Sequence, residues 1–154
     1  MLTVEPLSHR RELMPLVGDW LRSEWPNWYG TDGPGDLARD VEGFAADPTA
    51  LPVGLVAFRD GVPVGFGALK QESIASHQHL SPWAAAGFVL PAHRRHGIGA
   101  ALLRALVRHG ADLGFGRIYC ATATAASLLE RSGWQLQEEI VHASAPLRIY
   151  CRST

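Results

Sequence analysis

The chain has 154 residues, of which 47% are hydrophobic and 19% charged, a composition typical of one globular domain with a buried core. Its net charge of -1 with neutral histidines provides no general attraction to nucleic acid or to anionic membranes. No apolar run could span a membrane, no apolar leader is visible, and the two cysteines make neither a disulfide scaffold nor a metal site. We therefore expect a single cytoplasmic domain over residues 1–154 that binds no metal.

The first third of the chain predicts a strand, two helices and an aromatic loop. Leu2–Pro6 is a short strand, and the stretch from Ser8 to Glu24 is helical because its apolar residues recur every three or four positions. Pro15 marks either the true start of this helix or a kink. A loop from Glu24 to Gly35 is rich in tryptophan, proline and glycine, and a second helix covers Asp36 to Asp47.

The middle of the chain changes to the period of strands. Val53 to Glu72 predicts two strands around Asp60-Gly61, which is a strong hairpin signal. A polar connection, SIASHQHLSP, leads to Trp83–Leu90. This stretch is apolar on both faces of the predicted strand, as a strand in the centre of a sheet requires.

The last third begins with the strongest helix signal, over Ile98 to Leu113, where leucines form one apolar side and Gly114 is a natural stop. A buried strand (Arg117–Thr122), a short helix (Thr124–Gly133) and two closing strands follow. The predicted order is strand, two helices, three strands, helix, strand, helix and two strands. This order predicts an α/β domain in which about seven strands form a mixed sheet, flanked by about four helices.

The stretch HRRHGIGAAL, from His93 to Leu102, joins the central strand to the long helix. The first turn of a helix has unpaired N–H groups and partial positive charge, and glycines allow a ligand to approach the backbone. Two arginines add donors suited to phosphate. No Lys-Ser/Thr follows as in a P-loop, and Leu102 stands where a dinucleotide fingerprint needs its third glycine. The pattern therefore predicts a phosphate or pyrophosphate ligand of another class. The weaker alternative is a tight loop with solvated arginines.

The pattern Arg94-x-x-Gly97-x-Gly99 resembles the acetyl-CoA motif of the GNAT superfamily of N-acetyltransferases. The resemblance extends over nearly the whole chain, because DGVPVGFGAL is similar to that family's second-to-third strand hairpin. Likewise, LGFGRIYCAT and SLLERSGW are similar to its fifth strand, fourth helix and closing turn. The resemblance implies a sheet that is splayed between the fourth and fifth strands.

The same resemblance implies acetyl-CoA as co-substrate. Backbone amides of the loop would bind its pyrophosphate, and the pantetheine arm would add to the edge of the fourth strand. The N–H of Val89 would polarise the thioester carbonyl. The coenzyme-binding residues implied are Phe88, Val89, Arg94, Arg95, His96, Gly97, Ile98, Gly99, Ala100 and Ser127.

Transfer of an acetyl group to a primary amine needs a base, because an ammonium group has no lone pair. Glu72 is the first candidate and His79 the second, followed by His77; each could equally be a solvated side chain. Relatives carry a tyrosine in the fourth helix that meets the leaving thiolate, and Leu129 stands at that position here. Ser127, water or no acid at all could serve instead. A non-catalytic acyl-CoA-binding module therefore stays open as an alternative.

Other residues could take part in catalysis or acceptor binding. Tyr119 could replace the missing acid and Cys120 could act as an acetyl-cysteine nucleophile, although core packing is the simpler interpretation of both. The aromatic loop places tryptophans beside carboxylates, which suits a cationic amine. A polyamine, an arylalkylamine, an aminoglycoside, a protein N-terminus or a lysine all stay open. We expect no nucleic-acid or membrane partner, and a homodimer through the closing strands is open. The loop residues concerned are Glu24, Trp25, Trp28, Tyr29, Asp32 and Asp36. Trp83 opens the fourth strand and Trp134 the sixth, and core packing is the favoured interpretation of Trp20 and Trp134.

Overall fold

A computed structural model describes all residues, 1–154, as seven strands in one sheet with five helices. The strands are β1 (Leu2–Pro6), β2 (Val53–Arg59), β3 (Val62–Lys70), β4 (Trp83–Val89), β5 (Arg117–Thr122), β6 (Gln135–His142) and β7 (Ala145–Ser153). The helices are α1 (Met14–Glu24), α2 (Pro26–Tyr29), α3 (Leu37–Phe44), α4 (Ile98–Asp112) and α5 (Ala126–Arg131). The α/β class and the mixed sheet are confirmed. None of the helices combines the length and apolar character needed to cross a bilayer.

Two features of the first third differ from the sequence-based expectation. The first long helix begins at Met14 rather than near Ser8, and two 3-10 turns precede it. Pro15 lies in its first turn, where the missing N–H costs nothing. A fifth helix, α2, forms one turn inside the expected loop, again opening with a proline, Pro26. Because a proline stands at the start of α1 and another at the start of α2, the helical pattern of this region is divided into separate helices.

The sheet has the order β1-β2-β3-β4-β5-β7-β6, and its neighbours are antiparallel except β4 and β5. The parallel β4–β5 contact has one register pair, Trp83 with Tyr119. Because Trp83 is the first residue of β4, the two strands part along nearly the whole length of β4. The predicted splay between the fourth and fifth strands is thereby confirmed.

A bulge interrupts β4 where it runs beside β3. Ala85 pairs with Ala68 and Phe88 with Phe66, so two residues of β4 face one residue of β3. Ala86, the first of the two, has a positive φ of 55°. A bulge bends its strand and takes backbone groups out of the ladder, and here it lies on the strand that borders the splay.

The core lies on both faces of the sheet. Val56 and Phe58 of β2 pack with α1 and α3, while Leu55 and Ala57 belong to the clusters packed against α4. The alternation follows from the two-residue period of a strand. On the first face, Trp20 of α1 packs on Phe88 with ring centroids 5.4 Å apart. The two helix layers therefore meet the C-terminal end of β4 from opposite sides.

The close approach of α4 to the sheet depends on a glycine in β3. A Cβ on Gly65 would lie 2.9 Å from the Phe88 carbonyl oxygen and 3.2 Å from side-chain atoms of Ile98 and Leu102. Since the carbonyl belongs to the neighbouring strand and cannot move freely, a side chain here would displace α4 or β4. Gly65 therefore positions the start of α4 against the end of β4.

We predict that Gly65→Ala lowers the free energy of unfolding by about 1–3 kcal/mol, because a methyl group has no space in this contact. Urea denaturation of the purified protein measures the change. Gly116→Ala is the matched control, since nothing lies within 4 Å of a Cβ at Gly116 and the change should be neutral or slightly stabilising. Equal stability of the two variants would contradict the packing argument.

Candidate active site

The loop between β4 and α4 presents a row of backbone N–H groups without partners. The amide of Arg94 donates to the Pro91 carbonyl at 3.3 Å, and that of Ala101 donates to the Gly97 carbonyl at 3.0 Å. The six amides between them, from Arg95 to Ala100, have no acceptor in the protein. Positive φ angles at Arg95 (65°) and Gly97 (79°) turn this segment into the first turn of α4. Such a run of free donors at a helix start is suited to an anion.

The two glycines of the loop have different roles. Gly97 has open space around it, since no atom lies within 4 Å of the position of a Cβ. At Gly99 a Cβ would lie 3.0 Å from Cδ2 of Leu128, so this glycine lets α5 pack against the first turn of α4. Ser127 precedes Leu128 on α5 and is exposed. The structure thus places Ser127 next to the residue of α5 that packs on Gly99.

The edge of β4 that faces the splay is open. The Leu90 N–H donates to Val64 of β3 at 2.9 Å, so the adjacent carbonyl of Val89 points away from β3, toward the splay. Gly87, in the bulge, is exposed and has nothing within 4 Å of a Cβ position. The Phe88 side chain is buried against Trp20, which leaves only its backbone for a ligand. The open edge offers an extended, amide-bearing molecule a strand to pair with.

These features fit acetyl-CoA. The free amides match its diphosphate, and the open edge of β4 matches its amide-containing arm. The bare backbone at Gly87 and Gly97 leaves space for both. The sequence motif indicated the loop but gave no sign of the bulge. The run Ala84-Ala85-Ala86-Gly87, unusually poor in β-forming residues for a central strand, was the available signal.

The model of the acetyltransferase (GNAT) family matches residues 15–134 of the chain. The chain belongs to the GNAT family. Family membership supports acyl transfer as its activity and acetyl-CoA as its co-substrate. No curated protein matches the chain in sequence.

Solved structures with the same fold include several acetyltransferases. An aminoglycoside 6'-N-acetyltransferase complexed with coenzyme A is 16% identical, with a TM-score of 0.78 over 98% of this chain and 96% of that one. The aminoglycoside 6'-N-acetyltransferase of Enterococcus faecium is 17% identical, with a TM-score of 0.76 over the same shares, 98% and 96%. The yncA protein of Salmonella typhimurium with acetyl-CoA is 16% identical, with a TM-score of 0.76 over 99% and 93%. At these identities the likeness establishes the fold.

The candidate bases of this GNAT domain lie on the connection between β3 and β4. Glu72 and His79 are both exposed, at the Trp83 end of β4 and about 10 Å along the strand from the bulge. His79 stacks on His77 with ring centroids 5.6 Å apart. His77 is buried, and its Nε2 donates to a carboxylate oxygen of Glu138 on β6 at 2.9 Å. Its Nδ1 shares a hydrogen bond with the Ser76 hydroxyl at 2.7 Å. The structure therefore joins the two histidines in one cluster and leaves Glu72 in solvent.

Leu129, at the position of the family tyrosine, is fully buried. It packs in the cluster that contains Ile118, Trp134 and Tyr150. Tyr150 is also buried, and its hydroxyl donates to Glu130 at 2.5 Å. That hydrogen bond, together with burial, raises the pKa of Tyr150, which makes it a weaker acid. Neither residue presents an acidic proton to the open edge of β4.

Cys120 and Tyr119 lie half-buried on β5 and pack against the core. Burial raises the pKa of the Cys120 thiol to about 12, so almost none of it is thiolate at neutral pH. A thiol is a poor nucleophile, and the acetyl-cysteine route has no support. Tyr119 packs on Trp83 with ring centroids 5.6 Å apart, as expected for a core tyrosine.

The tryptophans divide between the core and the aromatic loop. Trp20, Trp83 and Trp134 are buried, which confirms core packing for Trp20 and Trp134 and gives Trp83 the same role. Trp28 is 52% exposed. Tyr29 donates to Asp40 at 2.6 Å, and burial followed by this bond raises the pKa of Tyr29.

The carboxylates of the aromatic loop also differ in their partners. Asp36 caps α3 by accepting from the Arg39 N–H at 3.1 Å, and Glu24 lies 4.0 Å from the guanidinium of Arg94. Asp32 is exposed. Glu24 is thus the acidic residue of this loop that lies beside the β4–α4 loop, the predicted coenzyme loop.

We predict that Leu129→Tyr destabilises the fold by about 1–3 kcal/mol without supplying an acid, because the larger polar side chain must enter a filled core. Urea denaturation and the rate of thiol release report the two effects. Leu136→Tyr is the control, since Leu136 is 47% exposed and the change should cost about 0.5 kcal/mol or less. A stable Leu129→Tyr variant with faster thiol release would show that this side chain reaches the reacting atoms.

Proposed function

We propose that the chain is an N-acetyltransferase that transfers the acetyl group of acetyl-CoA to a primary amine of a small acceptor. The observation that carries the proposal is the run of six free amides from Arg95 to Ala100 beside the open edge of β4. Family membership supports the reaction class. The acceptor and the individual roles below are proposals that rest on position and chemistry.

In the proposed reaction, acetyl-CoA supplies an acetyl thioester, which an amine nitrogen can attack directly. The amides of the loop hold the diphosphate, with Arg94, Arg95 and His96 adding positive charge. The N–H of Val89 faces the splay and donates to the carbonyl oxygen that becomes negative during attack. A carbon–nitrogen bond forms, the carbon–sulfur bond breaks, and the electron pair leaves on sulfur. Ser127 or water can protonate the thiolate.

The amine must lose a proton before or during attack. Glu72 and His79 are the proposed bases, acting directly or through water, and both are accessible to solvent. His79 has the support of a neighbour, since it stacks on His77, which is in turn anchored to Glu138. Glu72 has no such contact. Separate Glu72→Gln and His79→Gln variants distinguish the two through their effect on kcat and its pH dependence.

The acceptor side supports a small cationic amine. Exposed Trp28 and the carboxylates of the aromatic loop lie at the end of α1, and aromatic rings with carboxylates attract cations. Three of the neighbours in fold are aminoglycoside 6'-acetyltransferases. An aminoglycoside therefore joins polyamines and arylalkylamines among the acceptors to test. We also propose a cytoplasmic location, no nucleic-acid or membrane partner, and a homodimer through the exposed outer edge of β6.

A non-catalytic acyl-CoA-binding module is the second candidate. The observation in its favour is the burial of Leu129, which leaves no tyrosine to protonate the thiolate. A thiol with a pKa near 8.5 is a fair leaving group without help, so the enzyme stays the first proposal. Consumption of acetyl-CoA in the presence of spermidine, phenethylamine or kanamycin supports the enzyme. Tight binding of coenzyme A with no turnover on any amine supports the module.

We predict that Gly97→Ala weakens the binding of coenzyme A at least tenfold, measured by isothermal titration. The new Cβ would enter the space beside the free amides, and alanine pays about 1–2 kcal/mol for the left-handed conformation. Gly114→Ala is the matched control, because Gly114 has the same kind of φ (94°) and open surroundings at the other end of α4, about 25 Å away. Equal affinity of the two variants would contradict the assignment of the loop.

A further inference from the structure

Three groups from different parts of the fold meet at the end of β4. The Nε of Arg94 donates to the carbonyl of Val89 at 2.9 Å, and an Nη of Arg94 lies 4.0 Å from a carboxylate oxygen of Glu24. Glu24 is the last residue of α1, which packs on the face of the sheet opposite α4. Arg94 thus bridges the coenzyme loop, the open strand edge and the acceptor-side helix.

This arrangement conflicts with the bound state of the proposed function, on which the inference rests. The Val89 carbonyl faces the splay, where an amide N–H of the coenzyme arm would need it as acceptor. The diphosphate beside the loop competes for the guanidinium of Arg94 with far more charge than one carboxylate. We expect this competition to loosen both contacts of Arg94 when the coenzyme binds, which would release Glu24.

We infer that Glu24 binds the ammonium group of the acceptor and that Arg94 occupies it until the coenzyme is bound. Glu24 adjoins Trp25 and the one-turn helix α2 that carries exposed Trp28. A released carboxylate beside this aromatic surface provides charge and a cation–π neighbour for an amine. The phosphates of the coenzyme thus replace Glu24 as the partner of Arg94. The ammonium group of the acceptor then replaces Arg94 as the partner of Glu24.

Three of the other acidic residues nearby already have partners within the chain, while Asp32 is exposed in the loop after α2. Asp36 caps α3, Asp40 accepts from Tyr29, and Asp19 pairs with Arg22 one turn earlier on α1. Glu24 is the carboxylate whose partner belongs to the coenzyme loop. This distinguishes it from the rest of the acidic surface as the group that senses whether the coenzyme site is filled.

The first test measures the affinity for coenzyme A alone by isothermal titration. Side chains of Arg94 and Glu24 are 51% and 41% exposed, so their pairing is weak and screened by salt. We expect Glu24→Gln to tighten coenzyme A binding by about two- to fivefold, because the competitor for Arg94 is gone. Asp19→Asn, which removes one negative charge from the same helix, should leave the affinity unchanged. An unchanged or weaker affinity of Glu24→Gln would overturn the inference.

A double-mutant cycle separates a path through Arg94 from direct repulsion between Glu24 and phosphate. Arg94→Gln should weaken coenzyme A binding, and in that background Glu24→Gln should have no further effect. If Glu24→Gln still tightens the binding of coenzyme A in the Arg94→Gln background, the carboxylate repels the phosphates directly. The inference that phosphate replaces Glu24 as the partner of Arg94 would then be wrong.

The second test measures steady-state kinetics. The amine substrate is whichever of spermidine, phenethylamine and kanamycin the wild type acetylates. Glu24→Gln should raise KM for the amine about tenfold and change kcat by less than about threefold, because it removes a binding contact and no chemical group. An unchanged KM would overturn the acceptor role. A wild type that binds no coenzyme A would instead reject the proposed function itself, which the titration reveals before any variant is made.

Discussion

The parting of β4 from β5 is the constraint on which the site depends. The two strands share one register pair, Trp83 with Tyr119, and from there the edge of β4 has no strand beside it. An unpaired edge inside a sheet leaves donors and acceptors that need a partner. The bulge at Ala86 and Gly87 bends β4 at this point. The fold therefore presents an open strand edge that suits an extended, amide-bearing molecule.

The loop that follows β4 continues this open edge into a turn of free amides. Gly65 lets α4 approach the sheet closely, so the helix begins next to the end of β4. The unpaired N–H groups at the start of α4 lie next to the end of the open β4 edge. One ligand can therefore contact both the N–H groups and the strand edge. Arg94 links this junction to α1 through Glu24. In the proposed function, side chains of opposite charge connect the coenzyme loop to the acceptor side, and we infer that the occupancy of one affects the occupancy of the other.

The elements and the loop could be predicted because they depend on local rules. Strand period, the Asp60-Gly61 turn, the stop at Gly114 and the anion-site pattern around Gly97 are all properties of neighbouring residues. The α2 turn and the bulge were not predicted. A helix of one turn is too short to show a helical period in the sequence, and the bulge depends on how β4 pairs with β3. The same holds for Leu129: motif alignment marked it as a missing acid, but only the packing of α5 shows that its side chain lies in the core. The choice among bases also depends on distances that no sequence pattern contains.

Amide hydrogen exchange tests the central claim most directly, because it reads the backbone groups themselves. The amides of residues 95–100 lack protein acceptors and should exchange quickly in the free protein. Addition of coenzyme A should slow them, together with amides of β4 that face the splay, while the β6–β7 hairpin stays unchanged. Slow exchange of the loop without ligand, or binding of coenzyme A that protects other segments and leaves these amides unprotected, would contradict the account.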